Sequence, residues 1–286
     1  MSHASRFDFV VPDELAGERL DRAMARVAPG VTRGEARRLI AAGVVFVAGR
    51  RTGISSRAVR AGERLQWDEP VEAPAALVAT GPVPRIVLER PELWMVDKPA
   101  GMPVEPTREG ARGTLVEWLR RNQGPAFIAH RLDVATSGLL VVARQKPALV
   151  ALNALFAAHA IERAYLAVVS PAPSWEQATL DQPLDGKPAV THARVLGRAP
   201  AAALLRIALE TGRTQQIRRH LRGAGHPVVG ETVSGARGAG RLLLHAFALD
   251  VPRWTDGASL RAVCPPGEDF QQRTTALGLT VPDLGS

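Results

Sequence analysis

Residues 130–139, HRLDVATSGL, set His130, Arg131, Asp133, Thr136 and Ser137 directly ahead of an apolar run, Leu139–Val142. Consecutive Leu and Val residues bounded by turn-forming side chains read as a core strand. The polar cluster therefore sits where that strand meets the rest of the fold. Side chains packed so densely beside a buried strand either cap a turn or perform chemistry. As capping groups, Asp133, Thr136 and Ser137 would satisfy the backbone donors of a tight turn. As chemistry, they place a carboxylate, a guanidinium and two hydroxyls on one short loop.

The cluster is one of five blocks in fixed order: VDKPAGM (Val96–Met102), HRLDVATSGLLVVAR (His130–Arg144), ERAYLAVV (Glu162–Val169), TGRTQQIRRHLRGAGHPVVG (Thr211–Gly230) and LLLHAFALDV (Leu242–Val251). Together they resemble the RluA-type pseudouridine synthases, a family that includes enzymes modifying ribosomal and transfer RNA. One decapeptide could arise by chance; five ordered blocks do not. The resemblance implies an α+β catalytic domain over residues 85–286, with a mixed, largely antiparallel sheet and flanking helices. It also implies that Asp133 is the catalytic nucleophile. Conversion of uridine to its C-glycoside isomer breaks the glycosidic bond, holds the detached uracil, turns it and rejoins it through carbon. A carboxylate suits that work because it can attack the sugar or stabilise charge there. The residues leave open whether Asp133 attacks ribose, attacks uracil, or removes a ribose proton.

Other roles follow from the same resemblance. Tyr165, the single tyrosine of the chain, occupies the position whose ring packs against the target base, whereas an isolated tyrosine at a strand start ordinarily packs with its hydroxyl in water. Arg218 matches the arginine that pairs with the catalytic carboxylate, keeping it ionised and oriented. Arg131 matches a side chain inserted where the uridine leaves the stack, or it is an exposed turn residue. Arg213 and Arg219 are phosphate contacts or surface charges, and Lys98 either attracts RNA or is a solvated loop residue. The helix expected over Gln215–Leu221 turns Ile217 and Leu221 to the core and its N-terminus toward the cleft.

Charge adds an independent observation. The formal net charge is +8, and residues 19–64 hold 11 arginines against Asp21, Glu35 and Glu63, so this window carries the whole excess. A localised basic patch suits a polyanion. Leu20, Ala23, Met24 and Val27 recur at helical spacing. Thr32 offers a cap to a second helix through Ile40, with Arg33, Arg37 and Arg38 outward and Gly43 as its stop. Val44–Val47 and Arg64–Trp67 read as strands, with Ala48 and Gly49 forming a turn. The pattern resembles the small RNA-binding module found in many of these synthases and in a small-subunit ribosomal protein. We therefore expect a basic α/β RNA-binding domain at 1–70, with Arg33, Arg37 and Arg38 as contacts. The Pro- and Ala-rich stretch Asp68–Pro84 reads as the linker, centred on 71–84.

The chain departs from the family at Gln215, where His is usual, at GETVSG (Gly230–Gly235), where an aromatic or acidic residue is usual, and at Val104–Pro106, which lacks a His. These positions put substrate choice in question. Cys264 stands alone, so no intrachain disulfide forms, and it reads as a small core residue. His220, His226, His245 and Cys264 lack metal-ligand spacing, and GARGAG (Gly235–Gly240) lacks the ending of a phosphate-binding loop, so no metal or cofactor is implied. The expected partner is structured RNA, ribosomal before transfer. No membrane segment or secretory leader is evident, and a cytoplasmic monomer is expected. Two rivals stand beside this expectation: an inactive RNA-binding or ribosome-assembly factor that kept the fold, and a glycoside hydrolase using Glu105 or Glu162 as general acid.

Overall fold

The computed structural model describes residues 6–28, 31–41, 43–68, 83–105, 113–231 and 240–284. The chain divides into two compact units, one of residues 1–81 with 105–114, the other of 82–104 with 115–286. Of the expected linker, Asp68 ends a strand, and 69–82 lie outside the described residues, as do Pro29, Gly30 and 232–239. Among the described residues, no helix is long and apolar enough to cross a membrane.

The first unit contains β1 (Arg6–Val10), α1 (Leu20–Val27), α2 (Arg33–Ala41), β2 (Val45–Val47), β3 (Arg50–Arg51) and β4 (Arg64–Asp68). Its sheet has the order β1-β4-β2-β3, with every pairing antiparallel. The helical stripe expected in α1 is the one the core uses: Leu20, Ala23 and Met24 are buried and Val27 packs against them. Thr32 Oγ1 accepts the Glu35 N–H at 3.2 Å, the expected cap of α2. Ala48 and Gly49, at φ +50° and +73°, form the two-residue turn between β2 and β3. The first strand is absent from the sequence expectations. In it Phe7 and Phe9 alternate onto one face and stack on Trp67, with centroids 5.2 and 5.7 Å away.

The second unit begins with β5 (Arg85–Glu89), β6 (Leu93–Lys98), α3 (Leu115–Asn122), β7 (Phe127–Ile128), β8 (Ser137–Ala143) and α4 (Lys146–Ala157). It continues through β9 (Glu162–Val169), β10 (Gln177–Leu180), β11 (Thr191–Arg198), β12 (Ala203–Leu209), α5 (Gln216–Gly223), β13 (Leu244–Val251), β14 (Leu260–Val263) and α6 (Glu268–Ala276). The strand order is β10-β11-β12-β9-β13-β8-β6-β5, with β7 added to β8 and β14 to β13. Only the β8–β13 pairing is parallel, so the sheet is mixed and largely antiparallel, as expected.

Every residue of β8 is buried, which its unbroken apolar run requires. Leu140 and Val142 point into a layer with Leu115 and Leu119 of α3, Tyr165 of β9, and Ile217 and Leu221 of α5. Leu139 and Val141 point the other way, against Ala148 and Leu152 of α4. Each such side chain contributes about 1.5–3 kcal/mol on burial, so the strand that follows the polar loop is fixed from both faces.

Gly138 is where that strand meets β13. Its φ is +109°, and a Cβ there would lie 2.2 Å from the Ala246 carbonyl oxygen and 2.7 Å from the Ala246 nitrogen. Only glycine admits this approach. Gly138→Ala should destabilise the protein by roughly 2–4 kcal/mol, read as a lowered midpoint in urea or thermal unfolding. An unchanged midpoint would contradict the β8–β13 register described here.

Candidate active site

The loop between β7 and β8 is held at four places. At its start, the Val141 N–H donates to His130 Nε2 at 3.0 Å, and the ring lies 4.6 Å from that of Phe156. Burial lowers the His130 pKa to about 3, so the imidazole stays neutral and accepts that bond. Leu132 inserts into the layer formed by α3, α5 and Tyr165. Mid-loop, the Val134 carbonyl accepts the Gly101 N–H at 2.7 Å and Lys98 Nζ at 3.2 Å. At its end, Ser137 Oγ lies 2.8 Å from His245 Nδ1 and accepts Arg241 Nη2 at 2.7 Å. His245 Nε2 faces the Cys264 carbonyl at 2.9 Å and must donate to it, so the Ser137 hydroxyl is the donor to Nδ1.

None of these anchors uses the Asp133 side chain. The turn is closed by the Thr136 N–H donating to the Asp133 carbonyl oxygen at 3.1 Å, through main chain alone. Among the described residues the Asp133 carboxylate has one hydrogen-bonding partner, Arg218, whose Nη1 lies 3.3 Å from Oδ2. The Asp133 side chain is 27% exposed. It is neither a helix cap nor sealed in the core.

Arg218 comes from the first turn of α5, a helix whose Ile217 and Leu221 face the core as expected. Its side chain is only 13% exposed, and the guanidinium is gripped by Glu231, whose side chain is 6% exposed. Nε donates to Glu231 Oε2 at 2.8 Å, and Nη2 donates to Oε1. The Glu231 hydrogen bond, followed by the charges of Glu231 and Asp133, outweighs burial and raises the Arg218 pKa above its ordinary value. Glu231 was not singled out from sequence; the signal available was an acidic side chain directly after Gly230. That glycine has φ +83°, and a Cβ there would meet the Arg241 carbonyl at 2.2 Å. The tight crossing delivers Glu231 to the guanidinium.

Tyr165 projects from β9 into the layer that receives Leu132 and Ile217. Burial raises its pKa, Arg163 opposes that, and the Asp133 charge reinforces it. The phenol thus stays protonated within the field of the same carboxylate. Asp133, Tyr165 and Arg218 are brought together.

The remaining expectations divide. Arg131 is exposed, and Arg213 is half-buried with its Nε on the Pro188 carbonyl at 2.9 Å. Arg219 forms a two-toothed surface pair with Asp185, at 2.8 and 2.9 Å. Arg33 and Arg37 are exposed on α2, and the Arg38 side chain lies outside the described residues. Lys98 requires correction. It is fully buried, and its ammonium donates to the carbonyls of Pro99 and Met102 at 2.8 Å each as well as to Val134. With no solvent access, it neither touches RNA nor sits in water; it ties the 98–102 turn to the Asp133 loop. Beside that junction is a cavity of about 720 Å³ lined by Lys98, Gly101, Ala135, Ser137, Arg241 and His245. Asp133 stands outside its lining. Of the carboxylates proposed for hydrolysis, Glu162 is exposed on β9, and the second carboxylate actually at the site, Glu231, is committed to Arg218.

Burial lowers the Lys98 pKa to about 7, with Asp133 and Asp97 opposing the shift. Between about 7 and the ordinary 10.5 the unfolded chain holds a proton that the folded chain has released. Stability should therefore rise with pH across that window, at up to about 1 kcal/mol per pH unit from this group. Lys98→Met should remove that increment, measured by urea unfolding of both proteins across the window. Identical slopes would contradict the buried amine.

Known proteins share this chain's sequence pattern and fold. A sequence model of RNA pseudouridylate synthase matches residues 92–222, and one of the S4 domain matches residues 18–65. A Chloroflexus aurantiacus protein named as an uncharacterised RNA pseudouridine synthase is 37% identical over 288 residues, covering 92% of this chain and 90% of its own. Ribosomal large subunit pseudouridine synthase D of Xanthomonas campestris pv. campestris is 33% identical over 304 residues, covering 94% and 91%. In fold, the human protein RNA pseudouridylate synthase domain containing 4 superposes with a TM-score of 0.59 at 22% identity, over 69% of this chain and 94% of that one. With the catalytic-domain fold, the sequence match and identity sustained across nine-tenths of both chains, the chain belongs to the RNA pseudouridylate synthase family and carries an S4 domain near its N-terminus.

Proposed function

We propose that this chain isomerises uridine to pseudouridine in structured RNA in the cytoplasm, with large-subunit ribosomal RNA ahead of transfer RNA as the substrate and Asp133 as the catalytic carboxylate. One observation carries the assignment: the turn around Asp133 is closed by its main-chain carbonyl, so the carboxylate is left for Arg218 and solvent. The relatives named for the large ribosomal subunit support the choice of RNA.

In this reaction the bond from ribose C1′ to uracil N1 breaks and a bond from C1′ to uracil C5 forms. The proton on C5 leaves and N1 gains one, so the reaction needs no net oxidant or reductant. Asp133 acts as nucleophile or as base on the ribose, and the hydrogen bond from Arg218 keeps that carboxylate aimed. The uridine must leave its stack to reach them. Arg131, exposed beside the nucleophile, fills the gap it leaves. The Tyr165 ring packs against the extruded base, and Arg213 meets a phosphate. The N-terminal arginines supply sequence-independent affinity.

Asp133→Asn should reduce pseudouridine formation by about 10³-fold or more, while RNA affinity changes less than about twofold because the substitution preserves shape and removes one negative charge. Both are measured on the purified protein with a ribosomal RNA transcript. Retained activity would remove Asp133 from its role. Mapping pseudouridines in a strain lacking the protein should show one missing from large-subunit ribosomal RNA; a loss confined to transfer RNA would move the substrate. Deleting residues 1–70 should weaken binding and flatten its dependence on salt. An unchanged slope would contradict RNA binding by that region.

A further inference from the structure

We propose that Asp21 gathers Arg19, Arg33 and Arg37 into a preformed cradle for backbone phosphates of RNA, with Asp21 as the positioning residue. The proposal rests on the N-terminal unit binding RNA and names the site within it.

Asp21 lies in the first turn of α1 with its side chain fully buried. Its Oδ1 accepts Arg19 Nε at 3.1 Å, and its Oδ2 accepts Arg33 Nε at 3.1 Å and Arg37 Nε at 2.6 Å. All three arginines use the same nitrogen. A guanidinium bound through Nε still has the outer edge formed by Nη1 and Nη2, the fork that matches two phosphate oxygens. Among the described residues no acceptor takes those outer nitrogens. The three side chains remain 39%, 43% and 51% exposed.

Charge explains why a carboxylate is needed there. Arg33 and Arg37 are four residues apart on one face of α2, a like-charged pair that repels, and Arg19 adds a third cation. One anion beneath them offsets the repulsion and leaves the group at net +2. Burial alone would raise the Asp21 carboxyl, but the hydrogen bonds from Arg19, Arg37 and Arg33 outweigh it and hold it well below the usual carboxylate range. The anion is thus present whenever the unit is folded. A bond serving only to join α1 to α2 would need one arginine, and buried ion pairs are weak stabilisers against apolar packing. Three half-exposed guanidinium groups on a single carboxylate fit a ligand with several oxygens.

The test turns on a sign. Asp21→Asn makes the full-length protein more positive, so charge alone predicts tighter RNA binding and a steeper salt slope. The cradle predicts the reverse: affinity for a fluorescein-labelled stem-loop RNA falling about tenfold, the loss of one charge-assisted hydrogen bond, with a shallower slope. Arg33→Lys and Arg37→Lys keep the charge but lack the fork, and each should also lose affinity while unfolding at the wild-type midpoint. Equal or tighter binding by Asp21→Asn overturns the cradle. If Asp21→Asn fails to fold, wild-type affinity in both lysine variants overturns it instead. Failure of the underlying reading is distinct: the wild-type protein and the protein lacking residues 1–70 would then bind this RNA with the same salt slope.

Discussion

A main-chain hydrogen bond decides what Asp133 can do. Aspartate in a tight turn ordinarily spends its side chain on nearby backbone donors, and here the carbonyl oxygen of Asp133 accepts the Thr136 N–H instead. That substitution is possible because the loop is fixed by other means: His130 on β8, Leu132 in the core, Lys98 and Gly101 on the Val134 carbonyl, and Ser137 on His245 and Arg241. The carboxylate is then placed by a rigid scaffold together with its one bond from Arg218, which is what a preorganised reacting group requires.

Both units handle arginine in the same way. In the second, Glu231 takes two nitrogens of Arg218 and leaves a third for Asp133. In the first, Asp21 takes the Nε of three arginines and leaves their outer edges open. In each case a nearly buried carboxylate fixes a guanidinium and leaves other donors of that group uncommitted to it, and those of Arg218 reach Asp133. Arginine suits this because its donors are planar and its charge persists, whereas the one lysine near the site, Lys98, lowers its pKa to about 7 and joins carbonyls inside the fold.

Much of this was legible in the sequence, for identifiable reasons. The run Leu139–Val142 reads as a core strand because it is apolar on both faces. The α1 stripe, the Thr32 cap and the Ala48–Gly49 turn are local patterns whose physics lies within a few residues. Lys98 was not legible, because its burial depends on carbonyls from Met102 and Val134 that only the folded turn brings together. Glu231 and Asp21 were missed for the same reason: their partners lie 13 residues away for Arg218, and 12 and 16 away for Arg33 and Arg37. The β1 strand was readable in principle, since Phe7 and Phe9 alternate, but a five-residue segment at the chain start carries little periodic signal.

The central claim is that the residue-133 carboxylate, flanked by Tyr165 and Arg218, meets an extruded uridine. A crystal structure of the Asp133→Asn protein with an RNA stem-loop carrying its target uridine tests this most directly. The base is expected out of its stack against the Tyr165 ring, with the residue-133 side chain within about 3.5 Å of the ribose or of a reacting ring carbon. A uridine still stacked in its helix, or a ribose lying against some other carboxylate, would contradict it.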